Sequence, residues 1–359
     1  MKIAVLGSGN GGCALAADWA LSNHEVFMFD FKEFPSNIEA INQAGGIKVE
    51  GEINGFANIQ YAGHDIQIVL NNADLVFIVG PAYSTEKFAE VCKPHLTKGQ
   101  HIIICPSACA GALAFKKALG LSLEDHSYII SETSTLPYAC RLIEPGRVKV
   151  FLKLKGGLYI AAQPSTYTQK TLELLKDVYP NMESAKNVLQ TTLQNSNPVI
   201  HPAITLMNTA LIERTEGEFM FYEEGVTQGV GNLIKAVDQE RVKVAKSLGV
   251  NVLPDPIIGV KQGYMIEDTY DNGYVTAPGF KGIKAQHSLD HRYLNEDVGY
   301  SLNLIIDLAE HFDIDIPVTK SVVRIASVVT GKDFLNERKR TLESLGLNST
   351  TLQELNDIL

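Results

Sequence analysis

A glycine-rich stretch at residues 7–12, GSGNGG, constrains the fold of this chain more than any other feature of the sequence. The stretch comes directly after the apolar run KIAVL and opens the helix-like segment CALAADWALS. With G-x-G-x-x-G spacing, the first glycine allows a tight turn, the second lets a pyrophosphate approach the backbone, and the third lets helix and strand pack closely. Gly7, Gly9 and Gly12 therefore predict a Rossmann-type dinucleotide-binding unit.

An acidic residue lies where such a unit needs one. Asp30 ends the second apolar run, at about the twenty-residue distance from the glycines at which a carboxylate bonds the ribose 2′-hydroxyl of NAD. A carboxylate repels a 2′-phosphate, so Asp30 favours NAD, while Lys32 leaves NADP open. The free N–H groups at the helix N-terminus would bind the pyrophosphate. The predicted cofactor contacts in this part of the chain are Gly7, Gly9, Asn10, Gly11, Gly12 and Asp30.

Apolar runs separated by helical stretches fill the first half of the chain. Runs that are apolar on both faces are typical of buried parallel strands, so we predict a doubly wound, mostly parallel sheet in an α/β Rossmann domain over residues 1–184. The stretch RVKVFLKLKGGLYIAAQP, residues 147–164, differs, and we expect from it an antiparallel pair at the sheet edge. The predicted parallel strands lie within residues 2–9, 24–30, 73–80, 100–107 and 127–132.

The second half has a helical pattern. Residues 223–250 carry apolar side chains close to a 3.6-residue period and end at a glycine. NEDVGYSLNLIIDLAEHFDI and PVTKSVVRIASVVTGKDF indicate two further helices. We therefore predict a mainly α-helical substrate and catalytic domain over residues 185–359.

Composition restricts the partners. A formal net charge of −10 disfavours non-specific binding to nucleic acid or to an anionic membrane surface. The five cysteines show no CxxC spacing, which is typical of reduced thiols in a cytoplasmic protein. The sequence has no run of 18 apolar residues, so we expect no transmembrane helix. We expect small-molecule substrates, no metal, and neither nucleic acid nor membrane as a partner.

A nicotinamide cofactor carries a hydride, so the chain must supply a group that handles the proton. Histidine is the natural choice near neutral pH. Of the nine histidines, those of the first domain lie at strand starts or in loops, away from the strand ends where ligands bind. His311 lies at the end of a predicted helix beside Glu310 and Asp313, where we expect it to be solvated. His201, His287 and His291 remain. His201 stands in NSNPVIHPAITLMN between Pro198 and Pro202, where we expect a helix to begin.

At this point several stretches carry a family resemblance. GSGNGG, ETSTLPYACR at 132–141, NSNPVIHPAITLMN at 195–208 and HRYLNEDVGYSL at 291–302 together resemble the octopine/nopaline dehydrogenases, also called opine dehydrogenases. The resemblance runs along essentially the whole chain. It implies an enzyme that condenses an α-keto acid, usually pyruvate, with the amino group of an amino acid and reduces the imine with NAD(P)H.

The resemblance also implies roles for individual residues. His201 matches the catalytic histidine of the family and Asp297 the acid that pairs with it. Arg292 matches a basic residue that faces the cofactor pyrophosphate across the interdomain cleft. Among the expected substrate contacts, Glu132 would attract the ammonium group and Thr133 would bond the keto acid. The full set of expected substrate-binding residues is Ser107, Glu132, Thr133, Cys140 and Asn208.

Two other functions stay open from the sequence. The chain could be a reductase of the same architecture that acts on a hydroxy acid or a polyol phosphate, or a dinucleotide sensor without catalysis. A sensor would not need the pair of His201 and Asp297. If His201 were not the proton donor, His287 and His291 would be the first substitutes. The identity of the amino acid and the existence of a homodimer are open as well.

Overall fold

The computed structural model describes residues 1–107, 109–348 and 350–359, and it contains two compact units. Unit 1 comprises Met1–Thr191 together with Ile358–Leu359, and unit 2 comprises Thr192–Asp357. The domain boundary predicted from the sequence, at residue 184, coincides with the end of the last strand of unit 1. The chain continues in unit 1 for part of one further helix, and its last two residues return to unit 1 through hydrogen bonds from Gln163 and Ser165.

Unit 1 contains two sheets. The larger has eight strands in the order β12-β11-β8-β7-β6-β1-β2-β5, and the smaller has the order β4-β3-β10-β9. In the larger sheet all neighbouring strands are parallel except β8 and β11. The strands are β1 Lys2–Leu6, β2 Glu25–Phe29, β3 Gly46–Gly51, β4 Gly55–Asn58, β5 Tyr61–Gly63, β6 Leu75–Ile78, β7 His101–Ile104, β8 Ile129–Thr133, β9 Tyr138–Glu144, β10 Arg147–Lys153, β11 Leu158–Gln163 and β12 Met182–Ser184.

The order of the strands sets the position of the ligand site. From β1 the chain proceeds to one side through β2, and it later proceeds to the other side through β6, β7 and β8. Open α/β sheets bind ligands at such a reversal, beyond the carboxyl ends of the strands. The glycine-rich stretch follows β1 and therefore lies at this place. The mostly parallel sheet predicted from the sequence is confirmed.

The helices of unit 1 connect these strands. Helix α1 is buried along most of its length, because it packs against strands of both sheets. Its small apolar residues permit that close packing on all sides. The helices are α1 Asn10–Leu21, α2 Pro35–Ala44, α3 Ile66–Leu70, α4 Thr85–Cys92, α5 Gly111–Ala118, α6 Thr168–Leu175 and α7 Val188–Gln194, with 3₁₀ turns at Ala82–Ser84 and Ser165–Tyr167.

The prediction that residues 147–164 form an antiparallel pair of strands at the sheet edge is wrong. Strand β10 pairs with β9 and β3 in the smaller sheet, whereas β11 runs antiparallel to β8 in the larger one. Their burial explains the separation, since side chains of β10 are alternately buried and exposed while β11 is buried throughout. A strand with one solvent-exposed face and a strand with both faces buried fit different sheets. The smaller sheet was not predicted.

Unit 2 is built from helices, as predicted. Helix α8 lies at its centre and packs against α10, α13 and α15. A π-helical turn at Asp297–Leu302 joins α13 to α14, and a 3₁₀ turn lies at Pro278–Phe280. None of the described helices is both long and apolar enough to span a membrane. The helices are α8 Asn197–Met207, α9 Thr209–Thr215, α10 Gln228–Ser247, α11 Asp255–Gln262, α12 Asn272–Val275, α13 Arg292–Asn295, α14 Asn303–His311, α15 Pro317–Thr330 and α16 Leu352–Ile358.

The start of α8 differs from the prediction. The helix begins at Asn197, so His201 lies inside it and not at its first residue. Pro198 occupies the first turn, where its missing N–H costs nothing, and Val199 and Ile200 close that turn on the carbonyl of Ser196. Pro202 lies within the helix and removes one hydrogen bond there.

A buried cluster of charged groups joins α10 to the start of α11. The guanidinium of Arg241 donates to Asp238 from its Nε at 2.8 Å and also to the carbonyl of Leu253. The backbone N–H of Asp255 donates to Asp238 at 2.8 Å, and the hydroxyl of Tyr274 donates to the Asp255 carboxyl. Two carboxyl groups thus share one guanidinium. Burial, followed by the charge of Asp238, raises the pKa of Asp255 to about 7.

This raised pKa makes the stability of the fold depend on pH. The folded protein holds the proton of Asp255 more tightly than the unfolded chain does. The contribution of Asp255 to the free energy of unfolding therefore falls as the pH rises from 3.8 towards about 7. We expect Asp255→Asn, which stays neutral and keeps an acceptor for Tyr274, to unfold at a higher temperature than the wild type at about pH 8. The difference in unfolding temperature between Asp255→Asn and the wild type should be smaller at about pH 5. Thermal unfolding followed by circular dichroism measures both.

The matched control is Asp268→Asn, which removes an exposed carboxylate. It should change the unfolding temperature little at either pH, because exposed substitutions rarely exceed about 0.5 kcal/mol. A lower unfolding temperature for Asp255→Asn at the higher pH would contradict the raised pKa.

Candidate functional site

Two glycines of the loop after β1 are required by packing. Gly7 has a φ of +111°, and a Cβ there would lie 2.1 Å from the carbonyl oxygen of Val79, just beyond β6. A Cβ at Gly12 would lie 1.9 Å from the carbonyl oxygen of Gly7. Any larger side chain at these positions would separate α1 from the strand ends. The first and third glycines therefore have the structural roles that the spacing predicted.

Gly9 and the residues after it lie at the start of α1, with open space beside Gly9. A Cβ built on Gly9 would meet no atom within 4 Å. Gly9 is the N-cap of α1, and among the described residues no side chain caps that helix. The open space and the positive end of the helix fit a pyrophosphate. A Cβ at Gly11 would lie 3.0 Å from methyl groups of Leu136, so this glycine lets the loop pass close to its neighbour.

Asn10 has a role that the spacing did not suggest. Its side-chain oxygen accepts a hydrogen bond from the N–H of Leu142 at 2.8 Å. Its backbone carbonyl accepts from the thiol of Cys140 at 3.3 Å. Asn10 therefore ties the loop to β9 of the smaller sheet, and a direct contact with a cofactor stays a prediction.

Asp30 is brought to the loop, as the ribose contact requires. One carboxylate oxygen accepts from the N–H and the hydroxyl of Ser8, at 2.7 and 2.6 Å. The other accepts from the N–H of Phe31 at 2.8 Å. These bonds hold a buried carboxylate at the end of β2, beside the glycines. The arrangement fits a dinucleotide whose ribose hydroxyl bonds Asp30.

The residues at the ends of β7 and β8 are brought together and bonded to the backbone. The N–H of Ser107 donates to the carbonyl of Thr133 at 2.8 Å. The hydroxyl of Thr133 donates to the carbonyl of Thr135 at 2.9 Å. The buried Glu132 accepts from the N–H of Ala112 in the first turn of α5 at 2.9 Å and from the hydroxyl of Thr191 at 2.6 Å. Glu132 thus joins β8 to α5 and α7, and contacts of these residues with substrate stay predictions.

Cys140 is placed in the packed interior of unit 1. It lies on β9 of the smaller sheet and belongs to the same apolar cluster as Cys13. Burial raises the pKa of its thiol to about 12. Packing and the bond to Asn10 account for this residue, so a place in a substrate pocket stays a prediction.

In unit 2 the fold joins His201 to Asp297, which are 96 residues apart in the chain. The imidazole Nδ1 lies 2.8 Å from Oδ2 of Asp297, and both side chains are buried, at 8% and 3% exposure. Because a carboxylate only accepts, Nδ1 carries a proton and the second nitrogen, Nε2, is the one that can exchange a proton with a ligand. The ring of Tyr293 stacks on the imidazole with 3.9 Å between centroids.

The backbone around Asp297 is unusual. Asp297 begins the π-helical turn that packs on α8. In a regular α-helix Asp297, Ser301, Leu304 and Leu308 would share one face, but that spacing does not hold across a π turn. Such turns are rare and frequently found at functional sites.

The remaining candidates of unit 2 have other partners. Arg292 donates from its Nε to the buried Glu296 at 2.8 Å, and its side chain is 44% exposed. Asn208 donates to the carbonyls of Ile204 and Gly225, both at 2.8 Å, at the end of α8. Contacts of Arg292 with a pyrophosphate and of Asn208 with substrate stay predictions.

The two substitute histidines differ in setting from His201. His287 is exposed and lies 3.3 Å from the equally exposed Glu216. His291 caps α13, where its Nδ1 accepts from the N–H of Tyr293 at 3.4 Å. His201 has the buried carboxylate of Asp297 as the partner of its Nδ1, whereas His287 lies beside an exposed carboxylate and His291 caps a helix. The geometry therefore favours His201 as the proton donor.

Two side chains that contact the imidazole of His201 were not predicted from the sequence. The hydroxyl of Tyr222 lies 3.2 Å from Nε2 of His201, and the ring of Tyr293 covers the imidazole. Tyr222 belongs to the aromatic stretch FMFY and Tyr293 to HRYLNEDV. Aromatic residues are common in protein cores, so neither stretch indicates a histidine partner without the fold.

Comparison with known proteins gives the family. A family model described as NAD/NADP octopine/nopaline dehydrogenase, alpha-helical domain, matches residues 184–330. A second, described as NAD-dependent glycerol-3-phosphate dehydrogenase N-terminus, matches residues 2–111. The opine dehydrogenase of Arthrobacter sp. (strain 1C) is 35% identical over 350 residues, which cover 97% of this chain and 96% of that protein. This chain belongs to the opine dehydrogenase family.

Further relatives agree with this membership. Protein ocs of Agrobacterium tumefaciens (strain Ach5) is 26% identical and covers 97% of this chain and 96% of its own length. An octopine dehydrogenase solved with NADH and agmatine shares the fold, with a TM-score of 0.79 at 20% identity, over 99% of this chain and 97% of that one. The predicted family, fold class and NAD(P) cofactor of this opine dehydrogenase are confirmed.

The loop glycines permit a test that separates cofactor binding from folding. Gly9→Ala should leave the free energy of unfolding within about 0.5 kcal/mol of the wild type, because its Cβ meets nothing. It should weaken NADH binding about tenfold or more, because the methyl occupies the space of the pyrophosphate. Fluorescence titration with NADH and chemical unfolding measure the two quantities.

Gly12→Ala is the matched variant with the opposite expectation. Its Cβ would overlap the carbonyl of Gly7, so the fold itself should lose stability. Normal NADH affinity in Gly9→Ala would show that the pyrophosphate does not pass over Gly9.

Proposed function

We propose that this opine dehydrogenase condenses an α-keto acid, with pyruvate as the first choice, with the amino group of an amino acid. The resulting imine would be reduced to a secondary amine that carries two carboxylates, with NAD(P)H as the source of the hydride. The observation that supports this reaction is the buried pair of His201 and Asp297, with 2.8 Å between Nδ1 and Oδ2. Relatives support the substrates, since octopine dehydrogenases have been solved with NADH and L-arginine and with NADH and pyruvate.

The chemistry requires a group that both gives and takes a proton. The amine adds to the ketone to form a carbinolamine, whose hydroxyl must be protonated before it leaves as water. When bound, the nicotinamide supplies the hydride that reduces the imine carbon. Nε2 of His201 would be the source of the proton for the departing oxygen and the final acceptor of the proton from the attacking nitrogen, because imidazole is suited to general acid–base catalysis near neutral pH.

Asp297 makes this exchange favourable in a buried setting. A positive imidazolium out of contact with water is costly unless a negative group lies beside it. The carboxylate at 2.8 Å provides that charge and keeps Nε2 as the exchanging nitrogen. Tyr293 holds the plane of the ring by stacking. The imidazole is therefore oriented before substrate arrives.

Cofactor choice and cellular setting form a second part of the proposal. The buried Asp30 carboxylate beside the glycine loop supports NADH over NADPH. The five cysteines, all within the described residues, are buried and not joined by disulfide bonds, which supports a reducing cytoplasmic location. The homodimer stays a prediction.

The reaction predicts that oxidation of NADH depends on two organic substrates together. With pyruvate alone we expect no steady oxidation, and adding the correct member of a set of twenty amino acids should start it. Absorbance of NADH measures the rate, and mass spectrometry of the product should show the mass of both substrates joined. Steady oxidation with pyruvate and no amine would point instead to a hydroxy-acid reductase, and no oxidation with any keto acid to a sensor.

Removing the proton donor should abolish turnover and spare cofactor binding. We expect His201→Ala to lower kcat by about 10²–10⁴-fold, the usual worth of a general acid–base. Asp297→Asn should act in the same direction, since it removes the charge that stabilises the imidazolium. His287→Ala, at an exposed histidine, serves as the control and should keep its activity. An unchanged kcat in His201→Ala would reject this residue as the donor, and lost NADH binding would assign it to the cofactor.

A further inference from the structure

The exchanging nitrogen of His201 is in contact with a second ionisable side chain. Nε2 lies 3.2 Å from the hydroxyl oxygen of Tyr222. Both residues are buried, with 6% exposure for His201 and 5% for Tyr222. Asp297 already occupies the other ring nitrogen. A proton that enters or leaves the imidazole through Nε2 therefore meets the phenol of Tyr222 first.

The ring of Tyr222 is held in place by other aromatic rings. Its centroid lies 4.2 Å from that of Phe280, with 15° between the planes, and the ring of Tyr274 is nearly parallel at 6.2 Å. Phe221 meets it edge to face at 5.0 Å. Contacts on several sides restrict the rotation of a side chain that has only two χ angles.

The backbone before Tyr222 is fixed as well. The N–H of Phe221 donates to the carbonyl of Ile283 at 2.8 Å, and the N–H of Ala285 donates to the carbonyl of Phe219 at 2.9 Å. An isolated bridge between Met220 and Lys284 lies between these bonds. Segments 219–221 and 283–285 therefore support each other, and the hydroxyl of Tyr222 has a defined position towards α8.

We propose that Tyr222 is a further catalytic residue, whose hydroxyl passes the proton between Nε2 of His201 and the substrate. The proposal rests on the proposed function, because it assumes that His201 is the proton donor. Asp297, His201 and Tyr222 then form one hydrogen-bonded chain with the phenol at its substrate end.

The proton count balances in both directions. When the carbinolamine hydroxyl leaves, the Tyr222 O–H gives its proton to that oxygen, the C–O bond breaks with its electron pair on the oxygen, and water departs. Nε2 of the imidazolium simultaneously returns a proton to the phenol oxygen, which leaves a neutral imidazole. When the attacking amine loses a proton, the phenol oxygen accepts it and passes its own proton to Nε2.

A phenol suits this relay better than it suits independent catalysis. A phenol is by itself a weak acid and a weak base, so it needs a partner that supplies and accepts its proton. In the relay it never carries a full negative charge, because one proton arrives as the other leaves. The phenol also extends the reach of an imidazole that is buried against Tyr293.

The first test is a double-mutant cycle with Tyr222→Phe and His201→Ala. The phenylalanine keeps the stacked ring and removes only the hydroxyl. We expect Tyr222→Phe to lower kcat by about 10–10³-fold, with the NADH dissociation constant unchanged. The double variant should be no slower than His201→Ala alone, because residues that act as a unit are not additive.

The matched control is Tyr264→Phe. Tyr264 stacks on the opposite end of the same aromatic group, with 5.0 Å to Phe280, and loses the same atom. It should keep kcat within about twofold of the wild type, as expected for a substitution outside the proton path. A Tyr222→Phe enzyme that is equally unaffected, or two losses that multiply in the double variant, would overturn the proposal. In either case a large loss in His201→Ala leaves the proposed function standing.

A second measurement separates proton transfer from mere support of the imidazole, and it does not depend on the folding of Tyr222→Phe. Fluorinated tyrosines placed at position 222 keep the ring and the hydroxyl but make the phenol progressively more acidic. A relay predicts that log kcat changes steadily with phenol acidity, as general acid–base catalysis requires, while KM stays constant. The same series at position 264 should be flat. A flat series at position 222 would reduce Tyr222 to a structural residue and overturn the relay.

Discussion

The hydrogen bond between His201 and Asp297 is the interaction on which the site in unit 2 depends. A buried carboxylate is costly unless it is hydrogen-bonded or paired, and a buried imidazolium is costly for the same reason. At 2.8 Å each group offsets the cost of the other. The bond also decides which ring nitrogen is available for chemistry. Helix α8 and the π-helical turn carry the two partners and pack on one another, so the fold of unit 2 supports this single contact.

In unit 1 the loop after β1 depends on the space around its backbone and not on a pair of interacting side chains. Gly7 and Gly12 are glycines because carbonyl oxygens occupy the space that a Cβ would need. Gly9 is different, since its surroundings are open and suit a ligand. The same short motif thus contains two glycines that packing requires and one, Gly9, that packing does not require, and only the atoms around each glycine distinguish them.

The predictions that failed were those in which one local sequence pattern is compatible with two different tertiary structures. The stretch from β10 to β11 has the alternation and the glycine break of a hairpin, yet its strands join different sheets because one has a wet face and the other has none. Pro202 suggested the start of a helix, but α8 begins earlier because Pro198 fits its first turn. The expected substrate contacts of Cys140 and Asn208 stay predictions, and in the structure both residues hydrogen-bond to backbone groups of the protein itself.

The sequence by itself determined the dinucleotide-binding unit, the acid at Asp30, the helical second half and the family, because these depend on residues that are close together in the chain or on spacing that repeats. Tertiary structure decided what lies beside His201. Asp297 is 96 residues away and Tyr222 is 21 residues away, and no periodicity connects side chains across such distances. Only the packing of α8 against the π turn and against the segment that carries Tyr222 brings a carboxylate to one ring nitrogen and a phenol to the other.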